Sequence, residues 1–243
     1  MQAMILAAGL GTRLKPLTNS TPKALVKFND ETLLSLLIKK LKAARIQNIV
    51  INVHHFADEI INYLKMNNNF NLNISVSDER DLLLDTGGGL KKAKKFFSTN
   101  EPILIHNVDV ISDIDLNLFY EFHSLKNSLA TLAVRNRKSS RRFLFSDDYT
   151  LCGWENQKTG EKKIVRDKSS NLKSLAFSGI QIVNPQLFSL MPDEDVFSFV
   201  DLYLRVATQH KVTANIHDED NWFDVGSIDN LNSASVYIKK INK

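Results

Sequence analysis

Cysteine is almost absent from this chain, and long apolar runs are absent altogether. The single cysteine, Cys152, cannot form an internal disulfide, and one unpaired thiol fits a reducing compartment. No apolar run approaches the roughly 20 residues that a membrane-spanning helix needs. The first residues read as a core strand rather than a charged segment followed by an apolar one, so no signal peptide is expected. These absences predict a cytoplasmic protein without a membrane partner.

Strong charge of either sign is also missing. The chain has 31 basic and 27 acidic residues, a net charge of +4, and no long basic run interleaved with aromatic residues. We therefore predict no nucleic-acid partner, and the balance suits a small anionic substrate. Hydrophobic residues at 43% and charged residues at 24% are ordinary for a globular protein. A length of 243 residues is compatible with one domain over 1–243.

Several catalytic patterns are absent as well. The six histidines are scattered without the spacing of zinc ligands. There is no nucleophile elbow, and Cys152 has no evident activating partner in the sequence. These absences argue against a covalent mechanism.

Short apolar runs alternate with amphipathic helices along most of the chain. The predicted strands are 3–6, 48–53, 72–77, 102–106, 130–134 and 177–183, with a short one at 222–227 that leads into the last helix. The predicted helices are 32–44, 57–66, 89–97, 116–126, 200–210 and 228–241. This alternation predicts an α/β, Rossmann-like fold with a mixed, mostly parallel sheet and helices on both faces. Charge-rich turns around short apolar pieces at about 135–175 predict antiparallel hairpins inserted on the sheet.

The stretch after the first predicted strand has the chemistry of a polyphosphate site. Gly9 and Gly11 let the backbone turn sharply and bring amide N–H groups close to phosphate oxygens, and Arg13 and Lys23 add positive charge. The loop lacks the ending of a P-loop and the third glycine of a dinucleotide loop. The candidate nucleotide-binding residues here are Leu6, Ala7, Ala8, Gly9, Gly11, Thr12, Arg13 and Lys23.

The order Leu-Ala-Ala-Gly-x-Gly-Thr-Arg-Leu-x-Pro-Leu-Thr, followed by Thr-Pro-Lys-Ala-Leu, resembles the signature of the sugar-1-phosphate nucleotidylyltransferases. The resemblance covers nearly the whole chain and looks strongest to the short bacterial form, which includes N-acetylmuramate-1-phosphate uridylyltransferases and mannose-1-phosphate guanylyltransferase-like enzymes. It implies the nucleotide-diphospho-sugar transferase fold.

Asp109 and Asp224 are the candidate metal ligands. Asp109 follows a predicted strand, and Asp224 lies in Trp-Phe-Asp-Val-Gly near the other end of the sequence. Magnesium binds through one or two carboxylates together with phosphate oxygens and water, so two aspartates at one sheet edge would suffice. Taken alone, either aspartate fits a cap or turn residue better than a metal ligand. The resemblance implies that they are the family's metal pair, holding Mg²⁺.

A second glycine-rich stretch, 85–89, is predicted to be a loop that opens a helix near Leu90. The resemblance implies that Thr86, Gly87 and Gly88 accept the nucleobase and ribose, and a flexible surface turn is the alternative. For the sugar phosphate it implies Asn107, Arg141, Glu161 and Gly179. Solvated surface charge is the alternative reading of Arg141 and Glu161.

The resemblance implies a nucleotidyltransferase of nucleotide-sugar biosynthesis for the cell envelope, which makes nucleotide-sugar and pyrophosphate from a nucleoside triphosphate and a sugar-1-phosphate. The catalytic residues would be Arg13, Lys23, Asp109 and Asp224. Either N-acetylmuramate-1-phosphate with UTP or mannose-1-phosphate with GTP would fit. A silent nucleotide-sugar sensor and a glycosyltransferase remain alternatives. A monomer or small homo-oligomer is expected.

Overall fold

A computed structural model describes residues 1–166 and 171–241, with the backbone alone for 238–241. Within these residues the strands are, in chain order, β1 Gln2–Leu6, β2 Lys27–Phe28, β3 Glu31–Thr32, β4 Asn48–Val53, β5 Asn73–Asp78, β6 Ile103–Asn107, β7 Val110–Ser112, β8 Ala130–Arg135, β9 Arg141–Phe145, β10 Leu151–Asn156, β11 Glu161–Ile164, β12 Lys173–Val183, β13 Val212–Ile216 and β14 Trp222–Asp224. The α-helices are α1 Leu33–Ala43, α2 Ala57–Met66, α3 Asp85–Ala93, α4 Leu116–Lys126, α5 Phe199–Ala207 and α6 Ile228–Ile241.

The chain divides into two compact units. The first comprises Met1–Leu83, His106–Asp113 and Asn221–Lys243, and the second Leu84–Ile105 and Ile114–Asp220. In the first unit β4 pairs in parallel with β1 on one side and with β5 on the other. Its core is aliphatic, with Met4, Ile5, Ile38 and Ile51 fully buried. Strands covered on both faces need such continuous apolar runs.

The second unit is built largely from antiparallel pairs. Strand β12 pairs antiparallel with β8 and β9, β9 with β10, and β10 with β11, whereas β13 lies parallel to β8. The predicted hairpins at about 135–175 are therefore confirmed as β9, β10 and β11. The α/β class with a mostly parallel central sheet is confirmed as well. In the described part of the chain, no helix has the length and apolar character needed to cross a bilayer.

Several helix boundaries agree with the sequence predictions. The bounds of α2, α4 and α6 coincide with the predicted ones. Asp115 caps α4, its carboxylate accepting hydrogen bonds from the backbone N–H groups of Asn117 and Leu118. In the same way Thr32, predicted as the first residue of α1, is its cap and accepts from Ser35 N.

The prediction for residues 85–89 is wrong. This stretch is not a loop before the helix: α3 begins at Asp85, and Gly87, Gly88 and Gly89 lie buried inside it. Glycine disfavours helix interiors, so the run conceals the helix start in the sequence. The sequence analysis also missed β13, which the structure places beside β8.

Candidate active site

The loop after β1 needs glycine at position 11. Gly11 has φ +65°, and a Cβ there would lie 2.9 Å from Thr18 Cγ2 and 3.2 Å from Lys23 Cβ. The Thr18 hydroxyl donates to the Gly11 carbonyl oxygen at 2.8 Å. The tight turn at Gly11 therefore brings Arg13, two residues later, and Lys23 into the same region.

Lys23 and Asp109 form a nearly buried ion pair. The Lys23 Nζ to Asp109 Oδ2 distance is 2.9 Å, with the two side chains 15% and 9% exposed. Asp109 follows β6 directly after Val108, whose N–H donates to the Leu6 carbonyl oxygen of β1 at 3.2 Å. The end of β6 thus brings the carboxylate to the loop that begins where β1 ends.

Strand pairing brings in Asp224 from more than a hundred residues away. Strand β14 is antiparallel to β7 with Asp224 opposite Val110, and the Val225 N–H donates to the Asp109 carbonyl oxygen at 2.9 Å. The Arg13 guanidinium spans both carboxylates, with Nη1 3.5 Å from Asp224 Oδ2 and Nη2 3.8 Å from Asp109 Oδ2. All four residues predicted to be catalytic are therefore neighbours within the first unit.

Gly226 leaves open the space that these charged groups share. A Cβ at this position would lie 2.5 Å from Asp109 Oδ2, 2.6 Å from Arg13 Nη2 and 2.9 Å from Asp224 Oδ1. Its N–H also donates to Asp224 Oδ1 at 2.9 Å, which fixes that carboxylate. The sequence analysis did not single out Gly226, although its place two residues after Asp224 was the available signal.

The donor atoms beside Gly226 decide whether a divalent ion would fit there. In the described residues no group of three or more His, Cys, Asp or Glu side chains is arranged to hold a metal ion. Two carboxylate oxygens border the space beside Gly226, and Mg²⁺ takes its remaining ligands from phosphate and water. The residues present therefore fit a divalent ion such as Mg²⁺, which Asp109 and Asp224 would hold.

Two buried hydrogen bonds that the sequence analysis missed support the start of the loop after β1. Asn52, at the end of β4, accepts a hydrogen bond from Ala7 N at 2.8 Å and donates to Glu79 Oε1 at 2.7 Å. Glu79 is fully buried, and Asn52 is 3% exposed. These hydrogen bonds hold the backbone in place where the predicted phosphate-binding loop begins. In the sequence both residues look like ordinary polar strand ends.

His106, on β6, is fully buried and electrically neutral at physiological pH. Its pKa is lowered from 6.5 to about 3, mainly by burial and also by the nearby Lys40, against opposing effects of Asn107 and Asp109. Its Nδ1 lies 2.8 Å from the Asn107 carbonyl oxygen, so in the neutral ring Nδ1 carries the proton and donates it. His106 is therefore a packed strand residue and not a proton-transfer group.

The remaining predicted residues divide between the two units. Leu6, Ala7, Ala8, Gly9 and Thr12 lie in or beside the first loop, and Asn107 ends β6. In the second unit, Arg141 and Glu161 begin β9 and β11, and both are exposed. Glu161 pairs with Lys163 at 3.3 Å. Gly179 lies buried in β12 with φ +75°, where the pairing to β8 shifts register.

The predicted base-binding glycines contact another part of their own unit. The Phe197 carbonyl oxygen accepts from Gly87 N at 2.9 Å and from Gly88 N at 3.1 Å. A Cβ at Gly87 would lie 2.5 Å from the Phe197 ring, and one at Gly88 would lie 1.9 Å from the Asp195 carbonyl oxygen. Close backbone packing of α3 against 195–197 is thus one physical reason for these glycines.

Comparison with known proteins shows the family to which the chain belongs. The family described as nucleotidyl transferase matches residues 2–241, so the chain belongs to the nucleotidyl transferase family. The N-acetylmuramate alpha-1-phosphate uridylyltransferase of Caulobacter vibrioides is 31% identical over 92% of this chain and 91% of its own. The mannose-1-phosphate guanyltransferase of Yarrowia lipolytica is 28% identical over all of this chain and 66% of its own. Within the family, the chain is a sugar-1-phosphate nucleotidyltransferase homologue.

A solved structure shows the same fold. A putative glucose-1-phosphate thymidylyltransferase from Bacillus anthracis superposes with a TM-score of 0.80, covering 98% of this chain and 94% of that one at 19% identity. The fold class predicted from the alternating elements is that of this nucleotidyltransferase.

Proposed function

We propose that the protein transfers a nucleotidyl group from a nucleoside triphosphate to a sugar-1-phosphate, with magnesium, releasing pyrophosphate. The observation that carries this proposal is the cluster of Arg13, Lys23, Asp109 and Asp224 around the space beside Gly226. Two cations and two carboxylates neutralise one another there. A triphosphate competes for the cations, which leaves the carboxylates for a divalent ion.

Charge placement explains how such a site accelerates the reaction. A sugar-phosphate oxygen attacks the α-phosphorus in line, and the bond to the β-phosphate oxygen breaks. Arg13, 60% exposed, is free to turn toward the leaving pyrophosphate, while the more buried Lys23 holds the triphosphate. Bound Mg²⁺ supplies Lewis-acid neutralisation of the phosphate oxygens, and Asp109 and Asp224 would hold it. The backbone of Gly9, Gly11 and Thr12 orients the phosphates.

For the substrates, we propose UTP with N-acetylmuramate-1-phosphate, and GTP with mannose-1-phosphate as the second pair. The muramate enzyme of Caulobacter vibrioides matches over nearly its whole length, which supports the first pair. Thr86, Gly87 and Gly88 are proposed for the base, and Asn107, Arg141, Glu161 and Gly179 for the sugar phosphate. A cytoplasmic enzyme, active as a monomer or small homo-oligomer, fits the need for nucleoside triphosphates.

Pyrophosphate release from UTP, GTP, CTP and dTTP against a panel of sugar-1-phosphates tests this function. We expect release with one base and one sugar, lost when EDTA removes magnesium. If no triphosphate releases pyrophosphate with any sugar-1-phosphate, and the protein binds a nucleotide-sugar tightly, the result would favour the sensor. Transfer of sugar from a nucleotide-sugar without pyrophosphate would favour a glycosyltransferase.

The metal assignment has its own test in Asp224→Asn, which keeps the side-chain shape and the acceptor for Gly226 N. We expect turnover to fall by about two to three orders of magnitude, the scale found when one charge-stabilising group is removed. Asp229→Asn changes an exposed carboxylate in the first turn of α6 and serves as the matched control. Near-normal magnesium-dependent turnover in Asp224→Asn would show the assignment to be wrong.

A further inference from the structure

A cavity lies wholly within the second unit, and none of the charged residues just described borders it. It has a volume of about 760 Å³ and is bordered by the end of α3 with the chain after it, 91–99, and by 185–189. Ligand pockets commonly measure about 300–1,000 Å³. The cavity is therefore large enough for a complete small molecule.

Its lining is strongly basic. Lys91, Lys92, Lys94 and Lys95 all border it, and within the described second unit no acidic residue does. Lys91 is held by Asp195, at 3.2 Å from Oδ1, and by two backbone carbonyl oxygens. No ion pair joins the other three lysines to a carboxylate anywhere in the described residues. Ammonium groups around a concave wall concentrate positive potential, which favours an anion with several charges.

The same cavity has an aromatic wall. Phe97 and Phe188 lie with their ring centroids 6.4 Å apart and their planes within 26° of parallel. Lys94 Nζ lies 5.8 Å from the centre of the Phe188 ring, so the cation and the ring face belong to one surface. A nucleobase stacks on an aromatic face whichever base it is, because every base has a flat π-face.

From this combination we propose that the cavity is a second nucleotide-binding site. Lysine ammonium groups bind phosphate as point charges, and the phenylalanine faces accept a nucleobase. Inorganic polyphosphate would use the lysines alone, whereas a nucleotide uses both halves of the site. The inference does not depend on the proposed function, because neither Arg13, Lys23, Asp109 nor Asp224 borders the cavity.

Site-resolved hydrogen exchange tests the proposal. The full-length protein is titrated with UTP without magnesium, and the slowing of exchange at 91–99 and 185–189 gives an affinity for this cavity separate from any other site. We expect saturable protection of at least twofold in both segments. The absence of protection in these segments at millimolar UTP would overturn the proposal.

Two sets of variants separate the halves of the site. Lys94→Glu with Lys95→Glu is expected to weaken UTP binding at the cavity at least tenfold and to leave pyrophosphate release unchanged. The control is Lys65→Glu with Lys158→Glu, the same charge change at exposed lysines elsewhere. An equal loss of UTP affinity in the control would show that net charge alone causes the effect, and would overturn the proposed site.

Phe188→Leu keeps the apolar volume and removes the flat face. We expect about fivefold weaker binding of UTP and unchanged binding of inorganic tripolyphosphate. Wild-type protein that binds tripolyphosphate as tightly as UTP, with no effect of Phe188→Leu, would overturn the nucleotide assignment.

Discussion

At the scale of single residues, the proposed active site depends on the missing side chain of Gly226 as much as on the charged side chains around it. Asp109 and Asp224 face one space because Gly226 contributes no Cβ to fill it. Asp109 is only 9% exposed, so it cannot swing away into solvent. The site therefore tolerates little change at position 226.

Gly226→Ala tests this dependence. The new methyl group would meet both carboxylates and Arg13, and displacing reacting groups by about 1 Å can cost about 100-fold in rate. We expect a loss of that size in kcat/KM for pyrophosphate release, with little change in unfolding temperature. Gly160→Ala is the matched control: nothing lies within 4 Å of its Cβ, and its φ of +77° costs about 1–2 kcal/mol of stability only. Equal turnover in wild type and Gly226→Ala would refute the role.

His106 predicts how stability depends on pH. Its pKa is about 3 in the folded protein and 6.5 in the unfolded chain. As the pH falls below 6.5, His106 is therefore protonated in the unfolded state but stays neutral in the folded state. Stability is therefore lost on acidification, by about 2 kcal/mol between pH 7.5 and 5. Urea unfolding at both pH values should show this slope in wild type and not in His106→Gln. Identical slopes would mean that His106 is protonated when folded.

At the scale of elements, α3 is limited by the chain packed on it. Gly88 brings the helix backbone so close to Asp195 that a Cβ would lie 1.9 Å from the carbonyl oxygen. In an isolated helix, alanine in place of glycine would stabilise by about 1 kcal/mol. The sign of this substitution therefore distinguishes helix propensity from packing.

We expect Gly88→Ala to lower the free energy of unfolding by about 1–3 kcal/mol, the usual cost of overpacking. Chemical denaturation measures the change. Lys92→Ala, at an exposed position of α3, is the control and should be neutral within about 0.5 kcal/mol. A stabilised Gly88→Ala protein would contradict the packing of 195–197 on α3.

At the scale of the whole molecule, periodic apolar patterns were sufficient to predict the class of fold. Strand β4 and helices α2, α4 and α6 have the predicted bounds, because apolar spacing is a local signal. The meeting of Asp109 with Asp224 could be anticipated only through the resemblance and the rule that ligands bind at strand ends. Strand pairing between β7 and β14 is what brings them together.

What the sequence could not reveal depends on contacts between distant segments. The three glycines of α3 resemble a loop until residues 195–197 are packed against them. Asn52 and Glu79 look solvated until burial shows that they connect β4 to the loop after β1. The space beside Gly226 likewise becomes evident only when Asp109 and Arg13, distant in sequence, are brought against it.

Ligand binding should stabilise the folded molecule as a whole, by mass action. On the Lys94→Glu, Lys95→Glu background, in which binding at the cavity is weakened, magnesium-UTP should bind mainly at the Arg13 and Lys23 site. At about 100 times its Kd, the ligand adds about 2.7 kcal/mol, which for a chain of this length corresponds to about 5–10 °C in unfolding temperature. Adding Arg13→Ala, with a tenfold higher Kd, leaves about 1.4 kcal/mol at the same concentration, and so about half the shift. Because Arg13 is 60% exposed, its removal should barely change the protein without ligand. Differential scanning calorimetry measures both quantities, and an undiminished shift in the Arg13→Ala protein would show that the triphosphate binds elsewhere.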